Sequence, residues 1–327
     1  MTVLVTGAAG FIGFHVSRQL LERGETVIGV DNFNSYYDVE LKTQRAEILE
    51  SDERFTLLAE DISDPKFLYD SSRFKSILRI VHLAAQAGVR YSLSNPSQYV
   101  DSNLVGHSHV LELARGLGVE NMVYASSSSV YGGNNKVPFS EDDPTDHPVS
   151  FYAATKKSKE VLSESYAHLY GIPLTGLRFF TVYGPWGRPD MAYWLFSKAA
   201  LEGKPINVFN HGQMSRDFTH IADIVSGVLS ALDRPSSELG LPSPHRIYNL
   251  GNDKPQSLMN MIKAIEGAFD CSLEKNFMPH QSGDVKRTWA DIKRARSELS
   301  YNPRVSLEDG IDDFAEWFRA YSVSEDV

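Results

Sequence analysis

Cysteine is almost absent from this chain of 327 residues: Cys271 is the single one. One thiol closes no internal disulfide, so the composition reads as that of a protein from a reducing compartment, here taken as cytoplasmic. Long apolar runs are missing as well, and none approaches the roughly 20 residues needed to span a bilayer. The first residues, Met1-Thr2-Val3-Leu4-Val5, lead straight into a glycine loop, which is read as leaving no room for a signal peptide. Positive charge is in deficit: 32 Lys and Arg against 42 Asp and Glu leave a net charge of −10. That balance argues against a nucleic-acid or anionic-membrane surface but still admits a local basic pocket for a small polyanion. No internal repeat or low-complexity segment is found, and no metal is assigned. With 42% hydrophobic residues the chain is an ordinary soluble one, long enough for one large domain or two modest ones.

What the chain does have is alternation. Short apolar runs at 3–6, 26–30, 55–59, 76–83, 121–126 and 174–178 are separated by helical patterns, among them 12–23, 104–116 and 152–170. This is the pattern of an α/β, Rossmann-type doubly wound parallel sheet with helices on both faces. A late run at 246–250 is expected to return to the same sheet. After Arg178 the character changes, with Gly and Pro in Tyr183-Gly184-Pro185-Trp186-Gly187-Arg188-Pro189 and again near 235–244. The expected division is a dinucleotide-binding domain of 1–179 plus about 220–251, and a smaller substrate region of about 180–219 plus 252–327.

Gly7-Ala8-Ala9-Gly10-Phe11-Ile12-Gly13 sits between the first strand and the first helix. Glycine at these three positions permits a tight turn, close approach of backbone to a pyrophosphate, and packing of helix on strand. The helix N-terminus then offers free N–H groups to the phosphates. Asp31, at the end of the second strand, is placed to accept hydrogen bonds from ribose hydroxyls and to repel a 2′-phosphate, which selects NAD over NADP. Asp61 and Ile62 end the third strand, where an acid meets the adenine amino group. His82-Leu83-Ala84-Ala85-Gln86-Ala87 ends the fourth, where Leu83, Ala84, Ala85 and Ala87 let backbone approach the cofactor. His82 is read as a packed strand residue without chemistry.

Removing hydride from an alcohol carbon requires removing the proton from its oxygen. Tyr152 and Lys156 lie one helical turn apart on a shared face, 25 residues after Ser127. A free tyrosine titrates near 10, too high for a base at neutral pH. A nearby ammonium and a positively charged nicotinamide both favour the phenolate, by about 1–3 units for charges at such range. Ser127, at the end of the fifth strand, is suited to orient the substrate oxygen.

With these residues on the page the chain resembles an extended short-chain dehydrogenase/reductase of the sugar-nucleotide epimerase/dehydratase group, along essentially its whole length. The resemblance rests on the glycine loop, His82-Leu83-Ala84-Ala85, Asn103, the run 126–132, Tyr152 and Lys156, the run 178–185, and Arg216-Asp217-Phe218-Thr219-His220. Four details resemble the UDP-glucuronate 4-epimerases in particular: Asp31-Asn32-Phe33-Asn34-Ser35-Tyr36-Tyr37-Asp38, Gly184-Pro185-Trp186-Gly187-Arg188-Pro189-Asp190-Met191-Ala192, the run 216–220, and Gln281-Ser282-Gly283-Asp284-Val285.

The resemblance implies that a bound NAD oxidises the sugar at C4. Related dehydratases carry an Asp-Glu pair directly after the catalytic hydroxyl, and sugar-acid decarboxylases a glutamate two positions after it. Here those places hold Ser128 and Ser129, so redox without elimination is expected. Thr181 stands where UDP-galactose epimerases have asparagine, and Ser128, Ser129 and Thr181 together suit a neutral hydroxyl clamp on a carboxylate. The resemblance further places Asn32, Asn34, Asn103 and Phe179 at the cofactor, Arg188 and Arg216 at the diphosphate or sugar, and Asp284 at the nucleotide ribose. Gln281 replaces an arginine of the galactose-type enzymes. The helices expected at 104–116 and 152–170 resemble the pair through which family members dimerise, implying a homodimer. The expected activity is conversion of UDP-glucuronate to UDP-galacturonate. Two readings stay open beside it: epimerisation of neutral UDP-hexoses or UDP-N-acetylhexosamines, and an NAD-binding sensor without turnover.

Overall fold

The short aliphatic runs become the strands of one parallel sheet: β1 Thr2–Thr6, β2 Thr26–Asp31, β3 Phe55–Ala59, β4 Ile77–His82, β5 Asn121–Ser127 and β6 Leu174–Phe179. A seventh strand, His245–Leu250, pairs in parallel with β6 from His245 against Leu174 to Leu250 against Phe179. The computed structural model describes residues 1–68, 71–280 and 285–325. Sheet order is His245–Leu250, β6, β5, β4, β1, β2, β3. The chain winds outward from β1 to β3, then re-enters at β4 on the other flank of β1. Connections therefore diverge between β1 and β4, and the carboxyl ends of the strands open onto a crevice there.

The helix Phe11–Glu22 packs with Ile221–Asp233 on one face of the sheet, burying Phe14, Leu20, Leu21, Ile224, Val228 and Leu232. The helices Gly106–Leu117 and Phe151–Tyr170 cover the other, burying Val110, Leu111, Ala114 and Ala167. Each fully buried Leu, Ile or Val contributes about 1.5–3 kcal/mol. Phe151–Tyr170 starts where the Ser150 hydroxyl accepts from Ala153 N at 3.1 Å and stops at left-handed Gly171. A third apolar cluster gathers Tyr183, Tyr193, Trp194, Met261, Ile262, Phe314 and Phe318 over the crevice. Among the described residues no helix is long and apolar enough to cross a membrane.

Two local features differ from the sequence-based expectation. The helix expected to begin at 104 is preceded by a π-helical turn, Asp101–Val105, which carries Asn103 inward. Residues near 290–301, grouped by sequence with the smaller region, join the large core instead. Ile292, Ala295 and Leu299 form a helical stripe buried with Ala290 and Tyr301 against that core.

Candidate active site

The crevice is a cavity of about 940 Å³ that runs from the glycine loop to the far end of the smaller region. At its floor Gly7 has φ +73 and donates its N–H to Val30 O at 2.7 Å. A Cβ at Gly7 would lie 2.8 Å from Ala84 N, and one at Gly13 only 1.9 Å from Gly7 O. A side chain at either position collides with the surrounding backbone. The helix beyond begins at extended Gly10 with no side-chain cap, leaving its first N–H groups for an anion.

The adenosine end is held by short-range hydrogen bonds. Asp31 Oδ1 accepts from Phe33 N at 2.9 Å and lies 3.8 Å from Lys42 Nζ. Lys42 also donates to Asn34 O at 3.0 Å and Asn34 Oδ1 at 3.1 Å, and burial pushes its ammonium pKa down. Asp61 accepts from Ser63 N at 2.8 Å and Asn32 Nδ2 at 2.9 Å. Burial alone would raise Asp61; the bonds from Ser63 and Asn32 outweigh it and hold the carboxyl below its usual range. A carboxylate at Asp31 with its second oxygen open suits ribose hydroxyls. Ile62, Leu83, Ala84, Ala85 and Ala87 line the same wall.

The strand end of β5 and the first turn of Phe151–Tyr170 bring Ser127, Tyr152 and Lys156 to one place. Ser127, whose hydroxyl accepts from Ser129 N at 3.2 Å, lies beside the Tyr152 phenol and pulls its pKa down, and Lys156 Nζ lies 5.7 Å from the Tyr152 ring centroid while donating to Ala125 O at 3.1 Å. Burial pushes Tyr152 up, more than Ser127 and the Arg188 charge pull it down. Burial, with Arg188 adding to it, lowers Lys156 to about 7. The protein alone therefore keeps the phenol protonated; a bound nicotinamide would supply added positive charge that favours phenolate. Phe179 lines the wall beside this pair. Beneath it Glu160 receives both Arg178 Nε and Nη2 at 2.9 Å and the Ser126 hydroxyl at 2.6 Å, fixing β5, β6 and the helix together.

A pH dependence follows from the pair. Below 7 it carries ammonium and phenol; losing one proton near 7 gives the state that includes phenolate with ammonium, the same proton count as phenol with free amine. The rising limb of kcat/KM against pH is expected near 7, and Lys156→Met moves it upward, since the lone phenol titrates above its ordinary 10.0. A limb that stays near 7 in Lys156→Met, read in a pH–rate profile, contradicts this assignment.

On the sugar side Ser128, Ser129, Thr181, Arg188 and Arg216 all line the cavity. The Ser129 hydroxyl is buried without a hydrogen-bond partner, an orphaned group beside the reacting end. Arg188 is bidentate to Asp190, at 2.9 Å and 2.7 Å, and Asp190 also receives the Tyr36 hydroxyl at 3.0 Å. Its charge acts on both Tyr152 and Lys156, which places it nearer the chemistry than a diphosphate contact alone requires.

Two of the sequence-derived assignments fall elsewhere. Asn103 does not line the cavity: it is fully buried and engaged with Gln86 N, Gln86 O and Thr155 Oγ1 at 2.8, 3.1 and 3.0 Å. It braces the cavity wall from behind. Asp284, with Gln281, lies outside the described residues. His82 is a core residue, bonded to Thr6 Oγ1 at 2.7 Å and Lys159 at 3.2 Å.

Residues that sequence reasoning missed complete the far end. Leu195, Ala199, Ile206, Phe209, Met214 and Leu258 make an apolar lining, with the Arg90 guanidinium 5.4 Å from the Phe209 ring. Arg90 follows the run 82–87 along the same strand edge, a signal within reach; the apolar set reads in sequence like any core.

These features agree with what the chain is similar to. The NAD dependent epimerase/dehydratase family matches residues 3–251. UDP-glucuronate 4-epimerase 4 of Arabidopsis thaliana is 49% identical over 333 residues, covering 98% of this chain and 76% of that one. The structure of the UDP-glucuronic acid 4-epimerase of Bacillus cereus with UDP-glucuronic acid and NAD matches with a TM-score of 0.91 at 36% identity, covering 98% of this chain and 100% of that one. A tyrosine-to-phenylalanine mutant of that enzyme, with UDP-4-deoxy-4-fluoro-glucuronic acid and NAD, also matches with a TM-score of 0.91. A family match across most of the sheet and relatives aligned along nearly the whole chain lead to one conclusion: the protein belongs to the NAD dependent epimerase/dehydratase family.

Proposed function

We propose that the chain is an NAD-dependent isomerase, a UDP-glucuronate 4-epimerase, in which Tyr152 is the base. The observation that carries this reading is the meeting of Ser127, Tyr152 and Lys156 at the crevice beside the orphaned Ser129 hydroxyl and Arg188, with no acid at 128 or 129. NAD, when bound along the glycine loop, accepts the C4 hydride and returns it. Ser127 orients O4 and Tyr152 takes its proton, with Lys156 holding the positive charge that favours phenolate. Ser128, Ser129 and Thr181 donate hydroxyl hydrogen bonds to the C5 carboxylate, and Arg188 supplies charge beside it. The 4-keto sugar turns about the diphosphate linkage and presents its other face, giving UDP-galacturonate. Arg216, and Arg90 beside the apolar pocket, suit the diphosphate, and the apolar end suits the uracil.

The sheet, with residues 1–179 and about 220–251, holds the cofactor; about 180–219 and most of 252–327 cover the sugar nucleotide. Val105, Val161, Leu169 and Tyr170 are exposed apolar residues on or beside the helices Gly106–Leu117 and Phe151–Tyr170. This supports a homodimer through that helix pair. The lone Cys271 thiol supports a cytoplasmic location.

The reaction class is tested with UDP-glucuronate deuterated at C4 and no added reductant. The expected product is UDP-galacturonate of unchanged mass with the label still at C4. Label lost to solvent, or a main product lighter by water or carbon dioxide, overturns the reading. Turnover of neutral UDP-hexoses alone leaves the mechanism and changes the substrate.

A further inference from the structure

Arg45 lies in the helix Val39–Glu50 and is fully buried. Burying a guanidinium is costly unless its donors are satisfied. Here Nη1 and Nη2 donate to three backbone carbonyls and a phenol, while Nε is buried without a partner. Nη1 donates to Ala9 O at 3.0 Å and to the Tyr37 hydroxyl at 2.9 Å; Nη2 donates to Trp186 O at 2.6 Å and Gly187 O at 2.8 Å. Ala9 belongs to the glycine loop. Trp186 and Gly187 immediately precede Arg188. One rigid planar group thus ties the glycine loop to the segment that leads into Arg188.

The neighbouring contacts act in the same direction. His15, on the helix that starts at the glycine loop, contacts Pro185 O through Nε2 at 2.9 Å. Burial lowers its pKa to about 4, so the ring is neutral at working pH and the carbonyl selects the tautomer with Nε2–H as donor. Three consecutive carbonyls, 185 to 187, are therefore held by side chains from two helices, Phe11–Glu22 and Val39–Glu50. Trp186 has φ +57, a conformation an aromatic residue keeps only when its surroundings impose it. A Cβ at Gly187 would come within 1.7 Å of the Tyr193 oxygen, so the chain there has no room to relax.

We propose that Arg45 is a positioning residue that fixes Arg188 relative to the cofactor loop, so that the sugar-acid contact is set from the dinucleotide side. The inference rests on the reading of Arg188 as a group acting on the sugar acid. Its consequence is that Arg45 influences turnover through Arg188, although it does not line the cavity.

The test compares Arg45→Lys, Arg188→Gln and the double variant as holoenzymes with UDP-glucuronate. Lysine keeps the charge but is a single point and cannot hold Ala9, Trp186 and Gly187 together. Arg45→Lys is expected to lower kcat/KM at least about tenfold in the otherwise native chain and less than about threefold in the Arg188→Gln background, the non-additivity of groups acting as a unit. NAD content per chain stays that of the native protein. The rising pH limb shifts upward in Arg45→Lys, as in Arg188→Gln, because displacing the Arg188 charge relieves its downward pull on Tyr152 and Lys156. An equal fold-loss in both backgrounds overturns the proposal and makes Arg45 a stability residue. An Arg188→Gln variant that turns over like the native enzyme overturns the reading of Arg188 and the proposal with it. If Arg45→Lys does not fold, His15→Ala carries the same comparison on Pro185, with a smaller loss expected in the native background and none in Arg188→Gln.

Discussion

Tyr152→Phe is expected to lower turnover of UDP-glucuronate by at least about a hundredfold, the low end of what general acid–base catalysis contributes. The substitution removes one oxygen and little else. The ring keeps its edge contact with Tyr99 at 6.1 Å, and the helix start is set by Ser150 and by backbone, not by the phenol. What disappears is the acceptor for the O4 proton, beside Ser127. Lys156 does not substitute, since its amine is turned to Ala125 O at 3.1 Å. Binding of NAD and UDP-glucuronate should survive, because the cavity walls that hold both are untouched. Purified Tyr152→Phe is compared with the native enzyme by initial rate and by ligand titration. Near-native turnover sinks the assignment of the base, and loss of both ligands makes Tyr152 a structural residue.

The strands were legible because each is a short, largely apolar run, and the parallel order followed from alternation with helices. The catalytic helix was legible too, from the helical pattern at 152–170 with Tyr152 and Lys156 on one face; the structure adds its Ser150 cap. Arg45 and Lys42 were not. In Val39–Glu50 they alternate with Glu40, Glu47 and Glu50 like the charges of a solvated helix, and only the fold shows both buried, Arg45 against Ala9 and the 186–187 carbonyls and Lys42 against Asn34 and Asp31. Asn103 is a different case. Its place in a family run suggested a cofactor contact, but the π-helical turn directs its amide to Gln86 and Thr155. Residues 290–301 escaped because a three-residue apolar stripe says that a helix packs, not which core receives it. The orphaned state of Ser129 is likewise invisible in sequence: a serine after a strand caps far more often than it waits for a ligand.

That orphaned hydroxyl leads to the second large effect. A 4-keto uronic acid is a β-keto acid, and it loses carbon dioxide when the bond to the carboxylate aligns with the carbonyl π system. An epimerase of such a sugar must hold the carboxylate out of that alignment for as long as the ketone lives. The Ser129 hydroxyl, buried and without a partner, and Thr181, which lines the same cavity, suit that task. Each hydrogen bond to a charged group is worth about 1.5–3 kcal/mol, so losing two shifts the partition between epimerisation and decarboxylation by roughly a hundredfold or more. The double variant Ser129→Ala/Thr181→Val is therefore expected to release a UDP-pentose as a major product, with each single variant leaking less. Neither change touches Ser127, Tyr152 or Lys156, so oxidation at C4 should continue and supply the ketone that leaks. Mass spectrometry of the nucleotide sugars measures the ratio directly. A double variant that slows with no pentose formed shows that these hydroxyls only place the sugar, and that Arg188 alone keeps the carboxylate out of line.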